Sequence, residues 1–302
     1  MNKPNYIKGS LKTYKLLEQV GNGGNSIVFK AEDDDGEFYA IKFLESDKKE
    51  RFKKERCFQM ECESQYIANI VDFGEDHSLT GEISFYVMNY FDKTFKNIIN
   101  DSIISFNEKL KYFIKVCECV RFIHNKGIIH RDIKPENILF NSKTDRICIA
   151  DFGIAHFPNS TLTKTGERLA NFNYAAPEQK IKNGKITKAV DIYALGLILN
   201  QIFTGIIPNG DNYKKIKETH PHFASLDQVV NKMIRFDPKE RECNLTTIIA
   251  EIKLITKLIS EERNDIVHLL KFKGDSSERQ LIIDKAVEDI LYANQLLYIN
   301  EN

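Results

Sequence analysis

His130-Arg131-Asp132-Ile133-Lys134-Pro135-Glu136-Asn137, followed by Asp151-Phe152-Gly153, is the stretch on which the reading of this chain turns. It gathers a carboxylate able to act as a base, a lysine able to reach a phosphate, and an amide and a second carboxylate suited to a hard cation such as Mg2+. That set points to phosphoryl transfer, a reaction governed by positioning and charge neutralisation. Asp72-Phe73-Gly74 repeats the last three letters but precedes the string and ends an apolar run, Ile70-Val71, so it is expected to be a turn.

Working outward, Ser105-Phe106-Asn107-Glu108 reads as a capping box, after which Leu110, Phe113, Ile114, Val116, Val120 and Ile123 recur at helical spacing until Gly127. This helix delivers the chain to His130. Residues 191–203 form a second, strongly apolar helix closed by Gly205, and helices are expected to continue to about residue 259. Before residue 90 the pattern is mostly β: runs at 14–20, 27–31, 38–43, 67–73 and 83–90 read as strands, with one helix at 51–63. Asp33-Asp34-Asp35-Gly36 reads as a solvated turn rather than a metal site. The expected fold class is therefore α+β: a β-rich lobe over residues 10–90 joined near 89–92 to a mainly helical lobe over 91–259. A ligand cleft is expected between them.

Gly21-Asn22-Gly23-Gly24-Asn25-Ser26-Ile27-Val28 fits G-x-G-x-x-G-x-V with Ser26 at the third glycine. A strand, not a helix, follows the glycines, so the loop is a hairpin that could fold over phosphates. In Tyr39-Ala40-Ile41-Lys42, the lysine could reach the α- and β-phosphates. Its acidic partner is expected to be Glu55, with Glu61 and Glu63 as alternatives.

Together these residues resemble the eukaryotic-type (Hanks-type) protein serine/threonine kinase family, in a compact bacterial-like form, over about residues 14–259. The roles assigned follow the phosphoryl-transfer scheme general to that family. The resemblance implies Asp132 as base, Lys134 as the cation on the transferring phosphoryl group, Lys42 and Glu55 as the phosphate-anchoring pair, and Asn137 and Asp151 as metal ligands. It implies ATP and Mg2+, with Mn2+ as a substitute. Gly21 to Ser26, Val28, Ala40, Lys42, the gatekeeper Met88, the hinge Asn89, Tyr90 and Phe91, and Leu139 would surround the nucleotide. Ala176-Pro177-Glu178 resembles the family's A-P-E. Glu178 would pair with Arg241, and Asp191 would hold the catalytic loop. Lys134 matches the serine/threonine version of that loop, and Arg131 resembles the subgroup controlled by phosphorylation of the activation segment. Thr163 and Thr165 are the leading phosphorylation candidates, with Thr161 and Ser160 beside them. Four positions depart from the pattern: Ser26 at the third glycine, Asn89 for the common hinge glutamate, and Ala170-Asn171 for the usual Gly-Thr, the last pair bearing on substrate preference.

The 302 residues carry 43 basic and 43 acidic side chains, dispersed along the chain, so no basic face argues for nucleic acid or an anionic membrane. The six cysteines form no C-x-x-C pair and are expected to be reduced and mostly buried. Residues 1–6 lack the apolar core of a signal peptide, and the longest apolar run, 192–199, is too short to span a bilayer. A soluble, cytoplasmic protein with protein substrates is expected. Residues 260–302 lie beyond the resemblance; Asp275-Ser276-Ser277-Glu278 starts an amphipathic helix whose stripe at Leu281, Ile283, Val287, Ile290, Leu291, Asn294 and Leu297 would pack on the large lobe, or join a homodimer or a partner helix. Two other functions compete with an active protein kinase: a nucleotide-binding pseudokinase scaffold and a small-molecule phosphotransferase of similar architecture.

Overall fold

The computed structural model describes residues 6–23, 26–44, 64–76, 83–152, 155, 173–182, 184–210 and 213–271. The chain divides into a compact unit, Met1–Ile249, and a remainder that begins at Ala250. In the first part of that unit, six strands form one antiparallel sheet in the order β1-β2-β3-β4-β6-β5. They are β1 (Tyr6–Lys8), β2 (Thr13–Gly23), β3 (Ser26–Asp33), β4 (Phe38–Leu44), β5 (Ile70–Asp76) and β6 (Ile83–Asn89). The glycine-rich run lies at the β2–β3 hairpin, with Gly23 opposite Ser26.

Alternation along the strands sorts their side chains onto two faces. Ile41, Phe85 and Val87 join Ile7, Tyr14 and Ala31 in one apolar cluster. Their neighbours Ala40, Tyr86 and Met88 join Ala68, Ile70, Cys148 and Ala150 in another. Lys42, two residues from Ala40, shares the second face and lies opposite Val28 and Tyr86 in register.

Two features of this sheet differ from the expectations. The Asp72-Phe73-Gly74 triplet is part of β5, not a turn, and a register irregularity at Ile70–Asp72 turns Asp72 inward. Its carboxylate, 1% exposed, accepts hydrogen bonds from the backbone N–H groups of Ser10, Leu11 and Lys12 and from the Tyr14 hydroxyl, at 3.0–3.2 Å. Ser10 N–H also donates to the Phe73 carbonyl at 2.9 Å, so the β1 edge is fastened to β5 and the sheet curls. Gly9 is required here because a Cβ would run into the Asp72 carboxylate. Strand β1 itself is unexpected: three residues give too short a run to show alternation.

The acidic turn is as expected in geometry, with Gly36 at φ +82°. It is not wholly solvated: Asp33 is buried, accepts from the Asp35 and Glu37 N–H groups and pairs with Lys12, which holds its carboxyl below the usual range.

The second part opens with β7 (Lys93–Thr94) and α1 (Phe95–Asn100), then α2 (Phe106–Asn125). Ser105 and Glu108 exchange the reciprocal bonds of a capping box, at 3.3 and 3.1 Å. All six residues of the expected apolar stripe are buried, and Gly127 ends the run at φ +77°. Strand β8 (Ile138–Asn141) pairs with β7 on one side and with β9 (Arg146–Ile149) on the other, in a small second sheet. Helices α3 (Ala189–Thr204), α4 (Ile216–Thr219), α5 (Leu226–Met233) and α6 (Leu245–Lys271) follow. Gly205 caps α3 in the left-handed conformation. Helix α6 runs without a break through residues 259–260, where the large lobe is expected to end. Cys117, Cys119 and Cys148 are free and buried, and burial pushes their thiols up, that of Cys119 to about 12. Cys243 is free and exposed.

Glu178 and Arg241 form a bidentate pair at 2.6 and 2.9 Å, each about 5–6% exposed. The rest of the guanidinium donates to the carbonyls of Ala189, Arg235 and Phe236.

Two stability predictions follow from these buried carboxylates. Asp72→Ala leaves the Leu11 and Lys12 N–H groups and the Tyr14 hydroxyl without their acceptor, while Ser10 keeps the Phe73 carbonyl, and is expected to cost about 3 kcal/mol. In a domain of this size that lowers the thermal midpoint by roughly 6–12 °C; a shift under about 2 °C would refute the role given to Asp72. Arg241→Ala strands the Glu178 charge and should cost about 3–5 kcal/mol in denaturant unfolding. Arg241→Lys should recover only part of this, because an ammonium cannot reproduce the fork.

Candidate active site

The catalytic string lies between α2 and β8, and its backbone is fixed by one buried carboxylate. Asp191, 1% exposed in the first turn of α3, accepts from the His130 N–H at 2.9 Å, the Arg131 N–H at 2.8 Å and His124 Nε2 at 2.8 Å. Burial alone would raise this carboxyl; the His124 hydrogen bond and the nearby imidazole and backbone donors outweigh it, so the group is held below its ordinary value. The His130 ring serves the same loop. Nε2 donates to the Ala150 carbonyl at 3.1 Å, and Nδ1 accepts the Asp132 N–H at 3.3 Å, a pairing that requires the Nε2–H tautomer. Arg131 and Asp151 both adopt left-handed backbone angles, φ +71° and +64°. Such angles are uncommon for residues with side chains and persist where the surroundings over-determine them.

Asp132, Lys134 and Asn137 converge. Lys134 Nζ lies 2.7 Å from Asp132 Oδ2, and Asn137 Nδ2 donates to Asp132 Oδ2 at 3.0 Å and to its carbonyl at 2.8 Å. The Asn137 amide nitrogen is thereby occupied, which leaves its oxygen as the group it can offer to a cation. The short turn Pro135–Asn137 brings Asn137 back toward Asp132, and the Ala150 N–H donates to the Asn137 carbonyl at 2.9 Å.

From the opposite side, β4 contributes Lys42, whose Nζ lies 2.9 Å from Asp151 Oδ1. Lys42 is 8% exposed at its side chain, whereas Asp151 is 42% open to the cleft although protein atoms crowd around it. Burial would push the Asp151 carboxyl up; contact with the Lys42 ammonium, with His130 and Lys134 nearby, reverses this and holds it well below the usual carboxylate range. A carboxylate that stays ionised, like the free amide oxygen of Asn137, is the kind of ligand that suits a hard divalent cation, which takes few protein ligands and shares a phosphate's oxygens. Among the described residues no cluster of three or more His, Cys, Asp or Glu makes a separate metal cage.

Of the expected nucleotide-binding residues, Val28, Ala40, Met88, Tyr90, Phe91 and Leu139 belong to one apolar cluster below the sheet. Asn89 ends β6 and is exposed. Gly21 lies in β2 and Ser26 begins β3. Glu55, Gly24, Asn25, the phosphorylation candidates Ser160, Thr161, Thr163 and Thr165, and Ala170-Asn171 lie outside the described residues. A cavity of about 710 Å3 shares Asn89, Tyr90 and Phe91 with this set but is otherwise lined by residues such as Tyr66, Glu118 and Arg146; neither Lys42 nor Asp132 borders it.

The sequence alone does not single out His124 or the partners of this apolar cluster. His124 lies on the buried stripe of α2 and has no motif of its own; its place one residue after Ile123, in the last turn before the catalytic string, was the available signal. Ala68, Ile70, Tyr86 and Cys148 pass for ordinary core until the sheet is assembled.

The same architecture occurs in the kinase domain of Mycobacterium tuberculosis PknI, with a TM-score of 0.64 at 21% identity over 84% of this chain and 99% of that one. In sequence, the chain is 32% identical over 270 residues to a probable serine/threonine-protein kinase of Clostridium perfringens. It is 34% identical over 219 residues to serine/threonine-protein kinase PrkC of Bacillus subtilis. These alignments cover 81% and 68% of this chain but only 38% and 33% of the relatives, so the chain spans well under half their length. Residues 14–226 match the model of the protein kinase domain, and with that match over most of its length the chain belongs to the protein kinase family.

Proposed function

We propose that the chain is a protein serine/threonine kinase that transfers the γ-phosphoryl group of ATP, with Mg2+, to Ser and Thr hydroxyls of proteins. The observation that carries this is the meeting of Asp132, Lys134 and Asn137 within 3.0 Å on one side of the cleft, with Lys42 reaching Asp151 from the other. A scaffold that had given up catalysis would have no use for all five groups in one place, which disfavours the pseudokinase. The buried anchor of Glu178 on Arg241 supports a platform for peptides, which disfavours a small-molecule phosphotransferase. The relatives' names favour serine and threonine, as does Lys134.

In this reading Asp132 Oδ accepts a hydrogen bond from the acceptor hydroxyl and aims its oxygen at the γ-phosphorus. The new O–P bond forms as the bond to the β-phosphate oxygen breaks, and the hydroxyl proton passes to Asp132 late. Lys134 neutralises charge on the transferring group, and Lys42 holds the phosphates that do not transfer. Asn137 and Asp151 would hold Mg2+, which supplies charge neutralisation on the phosphate oxygens. The cluster of Val28, Ala40, Met88 and Leu139 would take the adenine, with hinge backbone at 89–91 beside it. We place the lobe boundary near residues 90–91 and regard residues 260–302 as an extension with its own role in packing or pairing. Phosphorylation at Thr163 or Thr165 would meet Arg131 and switch the enzyme on.

Radiolabelled ATP and Mg2+ with a generic Ser/Thr acceptor protein test the reading. Asp132→Asn should lower kcat by roughly 10²- to 10⁴-fold, and EDTA should abolish transfer until Mg2+ is restored. Transfer that survives Asp132→Asn undiminished would overturn the assignment, and an inactive wild type would favour the scaffold.

A further inference from the structure

The platform and the catalytic loop are joined by a side chain that none of the motifs contains. Gln179 ends the short turn Pro177–Gln179, immediately after the Glu178 that is anchored on Arg241. Its Nε2 donates to the Arg131 carbonyl at 2.8 Å, while its Oε1 accepts the Ala176 N–H at 3.0 Å. The amide is thus oriented at both ends. The turn that carries it is fixed as well: Ala176, 0% exposed, packs with Ile129 and Val190, and the Gln179 N–H closes on the Ala176 carbonyl at 3.0 Å.

What Gln179 grips is the peptide unit that leads into Asp132. The carbonyl of that unit belongs to Arg131 and receives Gln179; its N–H belongs to Asp132 and is received by His130 Nδ1 at 3.3 Å. Both polar atoms of the plane are therefore held, one by the catalytic loop's own histidine and the other by the end of the platform. The grip falls where the backbone needs it, because Arg131 sits at φ +71°, a conformation an ordinary residue leaves readily when its surroundings allow. Rotation of this plane would swing the Cα of Asp132, and small displacements of a reacting group carry large costs in rate.

We propose that Gln179 is a positioning residue that locks the Arg131–Asp132 peptide plane, so that the seating of the platform sets the aim of the Asp132 carboxylate. The inference rests on the kinase reading given above. Glu178 and Gln179 divide the labour of adjacent positions: the first secures the platform to the helical lobe, and the second passes that fixed position to the catalytic loop.

The test compares wild type, Gln179→Leu and Gln179→Glu as full chains, with phosphoryl transfer to a generic acceptor protein and thermal unfolding measured for each. Gln179→Leu should lower kcat about tenfold to a hundredfold, with the KM for ATP unchanged within about twofold because Lys42 and the adenine cluster are untouched. Gln179→Glu keeps the acceptor for the Ala176 N–H and nearly the same shape but loses the donor at high pH. Its activity relative to wild type should be low from pH 8 down to pH 6 and rise only as the pH falls toward about 4–5, the ordinary glutamate range, where the carboxyl takes up a proton and can donate to the Arg131 carbonyl again. A purely structural role would lower the unfolding midpoint without this recovery. If Gln179→Leu does not fold, the near-isosteric Gln179→Glu carries the test alone. An active wild type with kcat unchanged in Gln179→Leu, or a flat ratio across pH for Gln179→Glu, overturns the inference and leaves the kinase reading intact. A wild type without Asp132-dependent transfer overturns both.

Discussion

The carboxylate of Asp191 is the constraint on which the site depends. It is buried at the start of a helix whose own packing is almost wholly apolar, and a charge in that position survives only if its lone pairs are filled. The groups that fill them are the two consecutive backbone N–H groups that begin the catalytic string and an imidazole from α2. The need to satisfy one buried charge therefore draws three separate segments to a point. The left-handed turn at Arg131 follows from that demand, since successive N–H groups can aim at one carboxylate only if the chain bends sharply. Asp132, Lys134 and Asn137 are then displayed on the far side of a fixed backbone.

The helical lobe supplies this frame, and the sheet supplies its counterpart, Lys42. Lys42 is placed by strand alternation alone: Ile41 must enter the core above the sheet, so Lys42 must face below. Its reach to Asp151 joins β4 to the segment after β9, at the margin of the apolar cluster that Ala40 and Ala150 share. A charge pair suits such a junction because it tolerates small changes of distance better than close-packed side chains do.

How much of this can be read from the letters depends on the distance between partners. The capping box at Ser105 and Glu108, the apolar stripe of α2, the Asp-Gly turn and the alternation at 39–42 are decided within a few residues of chain, and all take the form expected of them. The catalytic string is legible because its partners lie two to five residues apart. Asp72 is the opposite case. Its sequence context imitates a motif used elsewhere in the chain, while its actual partners lie 58–62 residues away, at residues 10–14. His124 and Cys148 are similarly silent, because an apolar neighbourhood gives no sign of which side chain will face a carboxylate or a ligand. Asp72-Phe73-Gly74, as part of β5, carries the same letters as Asp151-Phe152-Gly153 without the catalytic segment that precedes the latter.

The same long reach gives the Asp72 clip a kinetic meaning. Contacts across some sixty residues carry a loop-closure cost that pairing of β2 to β6 reduces, so the carboxylate is expected to find residues 10–12 after those strands have paired. An interaction that arrives after the folding barrier leaves the folding rate nearly unchanged and slows unfolding instead. In that order of events the segment at residues 10–14 acts as a late latch on the sheet that holds Lys42, setting how long the assembled lobe persists rather than how quickly it forms.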